Sequence, residues 1–384
     1  MNPNDQVVTP AHVLFVVNNY PPSVGGVETH VLHLASEIAA SGSRATIVTL
    51  AEAASDRVEG NVRVVRLRRH FPVAGVISFP APGASKRIAK AFGNDQVTTV
   101  STHTRFFPMS AVGARVAKRI AAPVIHTEHG SDFVRSSSPM VSIASRFVDL
   151  TVGRWVLRNA DVVLGVSEQV VAFVGKLAGV RAKVFYNAID ITKWSNVTVD
   201  PTTNEVPRFC FLGRLVAGKG WDDLLEAATQ IRQRKNLDRF RIDIMGDGPD
   251  RLRLESRVAS LGLDDVVRVH GQVPPQEVRD LLSGGVLVNP TVLSEGFQTT
   301  LLEAIAVGGQ IVSYPVPGID QLIADGVPVR KVRAGDTAAL AIAMEAVALR
   351  PRPVLDPSIL TKWSWDERGR EYLRVVAGLR SGNR

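Results

Sequence analysis

The sequence predicts an α/β protein of two Rossmann-like units, each a parallel sheet covered by helices on both faces. Three observations predict it. Short apolar, strand-like runs alternate with stretches of helical apolar spacing. The alternation runs once, is interrupted by the polar, proline-bearing segment "KWSNVTVDPTTNEVP" (193–207), and then runs again. At 384 residues the chain also exceeds one ordinary hydrophobic core, and two domains of roughly 150 to 200 residues are expected.

The elements follow in order. "HVLFVVN" (12–18) is a short apolar run, read as a buried strand. "VETHVLHLASEIAASG" (27–42) has apolar residues at helical spacing and ends in Gly42. "RATIVTL", "VTTVST", "PVIHTE", "DVVLGVS" and "AKVFYN" read as further strands, with helical stretches between most of them. Beyond the interruption, "RFCFLG", "RIDIMG", "VVRVHG", "GVLVNP" and "QIVSYP" are strands, each followed by a helical pattern. Such alternation favours parallel sheets buried on both faces. Ligands of such sheets bind beyond the C-terminal strand ends, so the loops after the strands carry the functional argument.

Composition narrows the class. The chain is 45% hydrophobic and 21% charged, ordinary for a globular protein. Its single cysteine, Cys210, lies in an apolar strand and can form no internal disulfide, which fits a reducing compartment. "MNPNDQVVTP" lacks the basic-then-apolar order of a signal peptide, and no apolar run reaches the roughly 18 to 20 residues that span a bilayer. A cytoplasmic protein is expected. Residues 1–193 hold 21 Lys and Arg against 13 Asp and Glu, so the whole net charge of +8 lies there. That half suits an anionic partner such as acidic lipid or a phosphate-bearing acceptor. No nucleic-acid motif accompanies it.

Four loops stand out. In "NNYPPSVGGVETH" (18–30), Gly25 and Gly26 precede a helix whose free N–H groups suit an anion; the spacing is not G-x-G-x-x-G, which argues against NAD. In "GRLVAGKG" (213–220), Gly213, Gly218 and Lys219 match a phosphate-binding P-loop, but Gly220 replaces the Ser or Thr that ligates Mg²⁺. Arg214 and Lys219 could neutralise a diphosphate themselves. In "VNPTVLSEGFQTTLLEAIAVGG" (288–309), Glu295 is expected in the loop, with Gly296 and Phe297 beginning a helix whose first N–H groups are free. Glu303 lies about two turns on, among apolar residues, where a charge needs a partner. A carboxylate suits sugar hydroxyls because it accepts two hydrogen bonds. In "HTEHGSDF" (126–133), strand alternation sends His126 and Glu128 to one face and His129 to the other, which disfavours zinc. His129 is expected to project from the strand end alone, with His103 a weaker parallel.

Taken together, these loops resemble the family-4 retaining glycosyltransferases of GT-B fold, group 1, over nearly the whole chain. The most specific element is E-x7-E, Glu295 to Glu303. It stands in order with "GGVE", "HG", "YNAID", "GRLVAGKG" and "GDGP", and "WSWDERGREYLRVV" resembles the family's closing helix. The resemblance implies an acceptor-side domain 1–192, a linker 193–207, a nucleotide-sugar domain 208–362, and a closing helix 363–384 that packs back on the first domain. It implies that Gly25 and Gly26 approach the donor diphosphate and that Arg214 and Lys219 bind it. Glu295, with Gly296, Phe297 and Thr299, would hold the donor sugar. Glu303 would bind the ribose, Val273 would lie by the nucleobase, and His129 would line the reaction centre. No metal or other cofactor is implied; the nucleoside-diphosphate sugar is a substrate. Three positions depart from the family pattern: Gln298 replaces a frequent glycine, Gln310 a frequent proline, and "NAID" the commoner N-G-[VI]-D.

The expected activity is transfer of a hexose, with retention, from a UDP- or GDP-sugar to a glycan, lipid-linked or small-molecule acceptor. Rivals are a P-loop ATPase, a sugar-nucleotide epimerase of the same shape, a two-carboxylate glycoside hydrolase and a non-catalytic sugar-nucleotide binder. Two segments, 71–92 and 140–160, interleave apolar and basic residues. Each reads either as a core helix with solvated charges or as a surface for an anionic membrane.

Overall fold

The computed structural model describes residues 10–23, 25–73, 77–133, 139–194, 206–293, 296–350 and 356–381. The chain divides into two compact units. The first comprises Met1–Asn187 and Trp365–Arg384, the second Ala188–Ser364. Glu295 and most of the polar segment 193–207 lie outside the described residues.

The first unit is built on β1 (His12–Val16), β2 (Arg44–Ala51), β3 (Ser55–Glu59), β4 (Val62–Val73), β5 (Ile77–Pro80), β6 (Thr99–His103), β7 (Val124–Glu128), β8 (Val162–Gly165) and β9 (Ala182–Val184). The order across the sheet is β3-β4-β2-β1-β6-β7-β8-β9, with β5 paired to β4. Pairing is parallel except at β3–β4 and β4–β5. β1 and β7 are buried at every residue. That follows from helices covering both faces and explains their lack of polar alternation. The order reverses between β1 and β6, so the loops after those two strands open at the topological switch point.

The second unit holds β10 (Arg208–Leu212), β11 (Arg241–Met245), β12 (Val267–Gly271), β13 (Val286–Asn289), β14 (Gln310–Ser313) and β15 (Val329–Lys331). All five pairings are parallel, in the order β12-β11-β10-β13-β14-β15. This is the Rossmann order, and its switch point falls between β10 and β13. Trp221, 1% exposed, opens the helix Trp221–Arg234 and anchors the core with Phe209, Phe211, Ile242 and Tyr314. Burying about 200 Å² of such a side chain contributes about 5 kcal/mol at roughly 25 cal/mol per Å². Cys210 is buried in β10, and burial pushes its thiol up to about 12, so it is an inert core residue.

Candidate active site

In the second unit, three glycine-bearing loops interlock at the strand ends. After β10 the chain runs through Gly213 and Arg214 to the helix at Trp221. Gly218 and Gly220 both have positive φ, +85° and +83°, which glycine adopts without steric cost. A Cβ on Gly220 would overlap the Pro290 carbonyl oxygen, and one on Gly218 would meet the Leu293 side chain at 2.7 Å. The missing P-loop hydroxyl therefore has a physical reason: no residue but glycine fits at position 220. The loop is tied to the one after β13, because the Gly218 carbonyl accepts from Val292 N–H (2.9 Å) and from the Thr291 hydroxyl (3.2 Å). It is tied equally to the loop after β11. Leu215 N–H donates to Asp247 O at 3.0 Å, and side chains on Gly246 or Gly248 would strike the backbone of Gly213 or Leu215.

Side chains project from this backbone frame. Arg214 is exposed, and its side chain makes no hydrogen bond or ion pair with a described residue, while Lys219 is half-buried. Val273 is half-buried in the loop after β12. The helix after β13 differs from expectation. It starts at Thr299, not at Gly296 and Phe297, and Gln298 is its extended N-cap. Phe297 is 4% exposed and stacks on Trp363 at 5.0 Å, which draws it out of helical geometry and leaves only its backbone for a ligand. The Gln298 side chain accepts from Asn289 Nδ2 at 2.7 Å, so the residue that departs from the family pattern is fastened to the end of β13. Glu303 lies on this helix, half-buried among Leu301, Leu302, Ala304 and Ile305. Burial pushes its carboxyl up to about 7, against the opposing hydrogen bond from Thr299.

In the first unit the switch point is finished with polar side chains. The helix Gly26–Ala40 begins at the paired glycines. The Glu28 carboxylate folds over Gly25 and occupies the space a Cβ would need, whereas Gly26 has open space around it. Beyond β6, Arg105 is wholly buried. It donates to Glu128 Oε1 (3.0 Å), Asp149 Oδ2 (2.9 Å) and the Asp132 carbonyl (3.1 Å). Glu128 in turn accepts from the backbone N–H groups of His129 (3.0 Å) and Gly130 (2.8 Å). Burial alone would raise its pKa; the Arg105 charge, the His126 hydrogen bond and Gly130 N–H outweigh that and hold it at about 2. Burial raises the Asp149 carboxyl in spite of Arg105. Arg105 thus holds Glu128 as an anion, and the carboxylate's bonds to the His129 and Gly130 N–H groups set the backbone at His129.

His129 does not project alone. Its Nε2 lies 3.1 Å from His103 Nδ1, and both rings approach His30, which sequence reasoning missed. His30 Nδ1 is 2.8 Å from Asn187 Oδ1, and its Nε2 is buried without a partner. Burial lowers the pKa of all three, His30 to about 4. Their nitrogens fall within 4.8 Å of one another, close enough to gather a cation. Yet His103 and His129 already satisfy their facing nitrogens on each other, with no metal needed. The residues weighed for zinc from the sequence do not form the cluster: His126 pairs with Thr102 (2.9 Å) and Glu128 (3.4 Å).

The two amphipathic segments separate. The helix Ala84–Phe92 buries Ala84, Ile88 and Phe92, so it is a core helix with solvated charges. The helical run from Pro139 to Arg158 instead exposes Met140 (79%), Ile143 (71%), Phe147 (68%), Leu150 and Trp155. The Arg115 guanidinium lies 4.9 Å from the Trp155 ring, and Arg115 shares a shallow groove with Lys86, Lys90, Lys118 and Arg119. An apolar stripe therefore borders a basic patch within one unit. No helix among the described residues is long and apolar enough to cross a membrane.

Comparison with known proteins converges on one family. Residues 206–349 match the family model described as glycosyl transferases group 1, and residues 24–193 match that of glycosyltransferase family 4. An uncharacterised glycosyltransferase of Methanocaldococcus jannaschii is 26% identical over 80% of this chain and 81% of its own. The 2-deoxystreptamine N-acetyl-D-glucosaminyltransferase of Streptomyces fradiae is 24% identical over 94% of this chain and 93% of its own. Among solved structures, Anabaena HepE in complex with UDP and glucose superposes with a TM-score of 0.69 at 16% identity, covering 96% of this chain and 100% of that one. With both halves matched in the order in which the loops were found, the chain belongs to the family-4, group 1 glycosyltransferases of GT-B fold and is a glycosyl-transferring enzyme of class EC 2.4.

Proposed function

We propose that the enzyme moves a hexose from a UDP- or GDP-linked sugar to an acceptor hydroxyl, with retention at the anomeric carbon and no required metal. The observation that carries the reading is the loop 213–220. It sets Arg214 and Lys219 at the switch point of the second unit while excluding the hydroxyl through which a P-loop holds Mg²⁺. Two cations at one loop suit a diphosphate leaving group. As the C1–O bond to the phosphate breaks, the sugar becomes oxocarbenium-like and negative charge grows on the diphosphate. Arg214, Lys219 and the helix start at Gly25–Gly26 stabilise that charge, the preorganised electrostatics that dominates such reactions. The acceptor oxygen bonds to C1 on the same face, and its proton passes to the departing phosphate oxygen. Glu295, with the backbone of Gly296 and Phe297 and with Thr299, holds the sugar. Glu303 accepts from the ribose, Val273 lies by the base, and His129 lines the reaction centre.

Thermal stability against ATP, NAD, UDP, GDP and the UDP- and GDP-sugars, with EDTA present except in one separate ATP sample given Mg²⁺ instead, tests the donor. A ligand that binds only the folded state raises the transition further as its concentration climbs above its dissociation constant. Stabilisation by one diphosphate series is expected; stabilisation only by ATP with added Mg²⁺ would sink the reading. Lys219→Ala is expected to fold normally and to lose roughly 100- to 1,000-fold in kcat, the scale for one removed charge-stabilising group. Product formed without any acceptor would favour an epimerase instead.

For the acceptor side, the apolar stripe Met140–Trp155 beside the basic groove supports a peripheral seat on an anionic membrane, and with it a lipid-linked acceptor. A cytoplasmic enzyme on the inner membrane face follows. It predicts co-flotation with anionic liposomes that weakens with salt and with Phe147→Glu. Equal binding to neutral liposomes would count against it.

A further inference from the structure

We propose that Tyr372, on the C-terminal helix Trp365–Ser381, acts through Ser101 and His103 to fix the tautomer of His129, so that His129 presents Nδ1–H as a hydrogen-bond donor and cannot serve as a base there. Each buried donor of this chain, which lies wholly within the first unit, needs an acceptor.

Tyr372 is wholly buried, and its hydroxyl has one partner among the described residues, Ser101 Oγ at 2.8 Å. A buried O–H that donates to nothing is costly, so Tyr372 donates and Ser101 Oγ accepts. Ser101 is equally buried, and among the described residues the one acceptor left within reach of its own proton is His103 Nε2, at 3.2 Å. His103 Nε2 is therefore the bare nitrogen. A neutral imidazole carries its proton on the other nitrogen, so His103 Nδ1–H donates to His129 Nε2 at 3.1 Å. The His129 proton then resides on Nδ1. That atom is not among the buried polar atoms left without a partner, and His129 is half-buried, so Nδ1–H faces accessible space.

The opposite direction fails by the same count. If His129 donated to His103 and His103 to Ser101, the Ser101 proton would have only the Tyr372 oxygen to meet, and the Tyr372 proton would have nothing. The surroundings keep the chain neutral. Burial and the neighbouring His30 and His126 rings disfavour a cation on His103 and His129, and the Glu128 charge opposes this at His129 without outweighing it. His30 has the same tautomer independently, because its Nδ1 faces the Asn187 carbonyl oxygen. For the reaction, this makes His129 a donor to a substrate oxygen, while the proton of the acceptor hydroxyl goes elsewhere. That consequence rests on the role of His129 given under Proposed function; the tautomer does not.

The test is NMR of the full chain with ¹⁵N-labelled histidine, whose ring nitrogens distinguish the two neutral tautomers and the cation. At pH 7 without substrate, His103 and His129 are expected in the Nδ1–H form. In Tyr372→Phe, an isosteric change that frees the chain to reverse, His129 is expected to become a mixture or Nε2–H. Ser101→Ala, which cuts the chain at its second link, is expected to do the same. An imidazolium or Nε2–H form of His129 in the unaltered protein, or an unchanged spectrum in both variants, would overturn the proposal. Activity separates the two claims. If the tautomers behave as expected but His129→Ala turns over as fast as the unaltered enzyme, the role of His129 in transfer fails while the relay stands.

Discussion

The two switch points are finished in different ways. In the second unit, the loops after β10, β11 and β13 hold one another by backbone contact, at glycines that admit no side chain. In the first, the loops after β6 and β7 are held by a buried ionic cluster, Arg105 with Glu128 and Asp149, and by a chain of imidazoles and hydroxyls. The contacts between these loops run through backbone groups and the Thr291 hydroxyl, none of which titrates, and Arg214 and Lys219 present charge from them. The side-chain frame can lose its geometry by losing one proton or one atom. A diphosphate has the same shape in every donor, which a fixed backbone mould suits. The polar lattice of the first unit instead positions a few directed groups.

Breaking the side-chain frame gives the largest expected effect. Arg105→Met strands two buried carboxylates, and breaking a buried pair costs about 3–5 kcal/mol. Chemical denaturation is expected to show that loss in the first unit, with hydrogen exchange accelerating in β7. Adding Glu128→Gln and Asp149→Asn to Arg105→Met should recover part of the stability, because no unpaired charge remains. No loss on Arg105→Met would mean that the cluster does not hold the strand end.

The backbone frame is sharpened by a pair of glycines. Gly220→Ser completes the P-loop signature, yet φ of +83° and the Pro290 carbonyl oppose any Cβ. It is expected to cost about 1–3 kcal/mol, the scale of a strained backbone position, and to confer no ATP hydrolysis. Gly26→Ser meets open space and is expected within about 0.5 kcal/mol of the unaltered chain. It should nonetheless impair turnover if the diphosphate approaches there. Equal stability losses in the two variants would erase the contrast between a filled mould and an open one.

The difference between the frames also decides what can be read from sequence. The two sheets are legible because short apolar runs and helical spacing are local patterns, and the glycine loops because Gly213, Gly218 and Gly220 stand within eight residues. The side-chain frame is not. Arg105 meets Asp149 across 44 residues, and Tyr372 meets Ser101 across 271. His30 stands in "GGVETH", but a lone histidine on an amphipathic helix carries no signal of its own. Local signals misplace the start of the 299–306 helix because Phe297 is drawn into the core by Trp363, a tertiary contact that overrides them. Amphipathic spacing likewise cannot say which face is buried: 84–92 hides Ala84, Ile88 and Phe92, whereas 139–158 exposes Met140, Ile143 and Phe147 and buries Val156 and Leu157.

The smallest effect comes from a titrating group on the helix that follows β13, Glu303. Folded Glu303 has a pKa of about 7 against an ordinary 4.5. Between those values the folded chain holds more protons than the unfolded one, so stability falls as pH rises. The contribution of the protonated carboxyl is complete below about 4.5 and is lost as pH passes through 7. A shift of 7 − 4.5 = 2.5 units sets a ceiling of about 3 kcal/mol. Partial exposure reduces the expected value to about 1–2 kcal/mol. The unfolding free energy of Glu303→Gln minus that of the unaltered protein should therefore grow by that amount from pH 4 to pH 8. Donor binding should move the other way. Only the ionised carboxylate accepts from both ribose hydroxyls, so nucleotide affinity is expected to weaken as pH falls below 7 in the unaltered enzyme and to stay level in Glu303→Gln. Parallel pH profiles for the two proteins would remove Glu303 from the nucleotide site and leave it a buried acid of the helix.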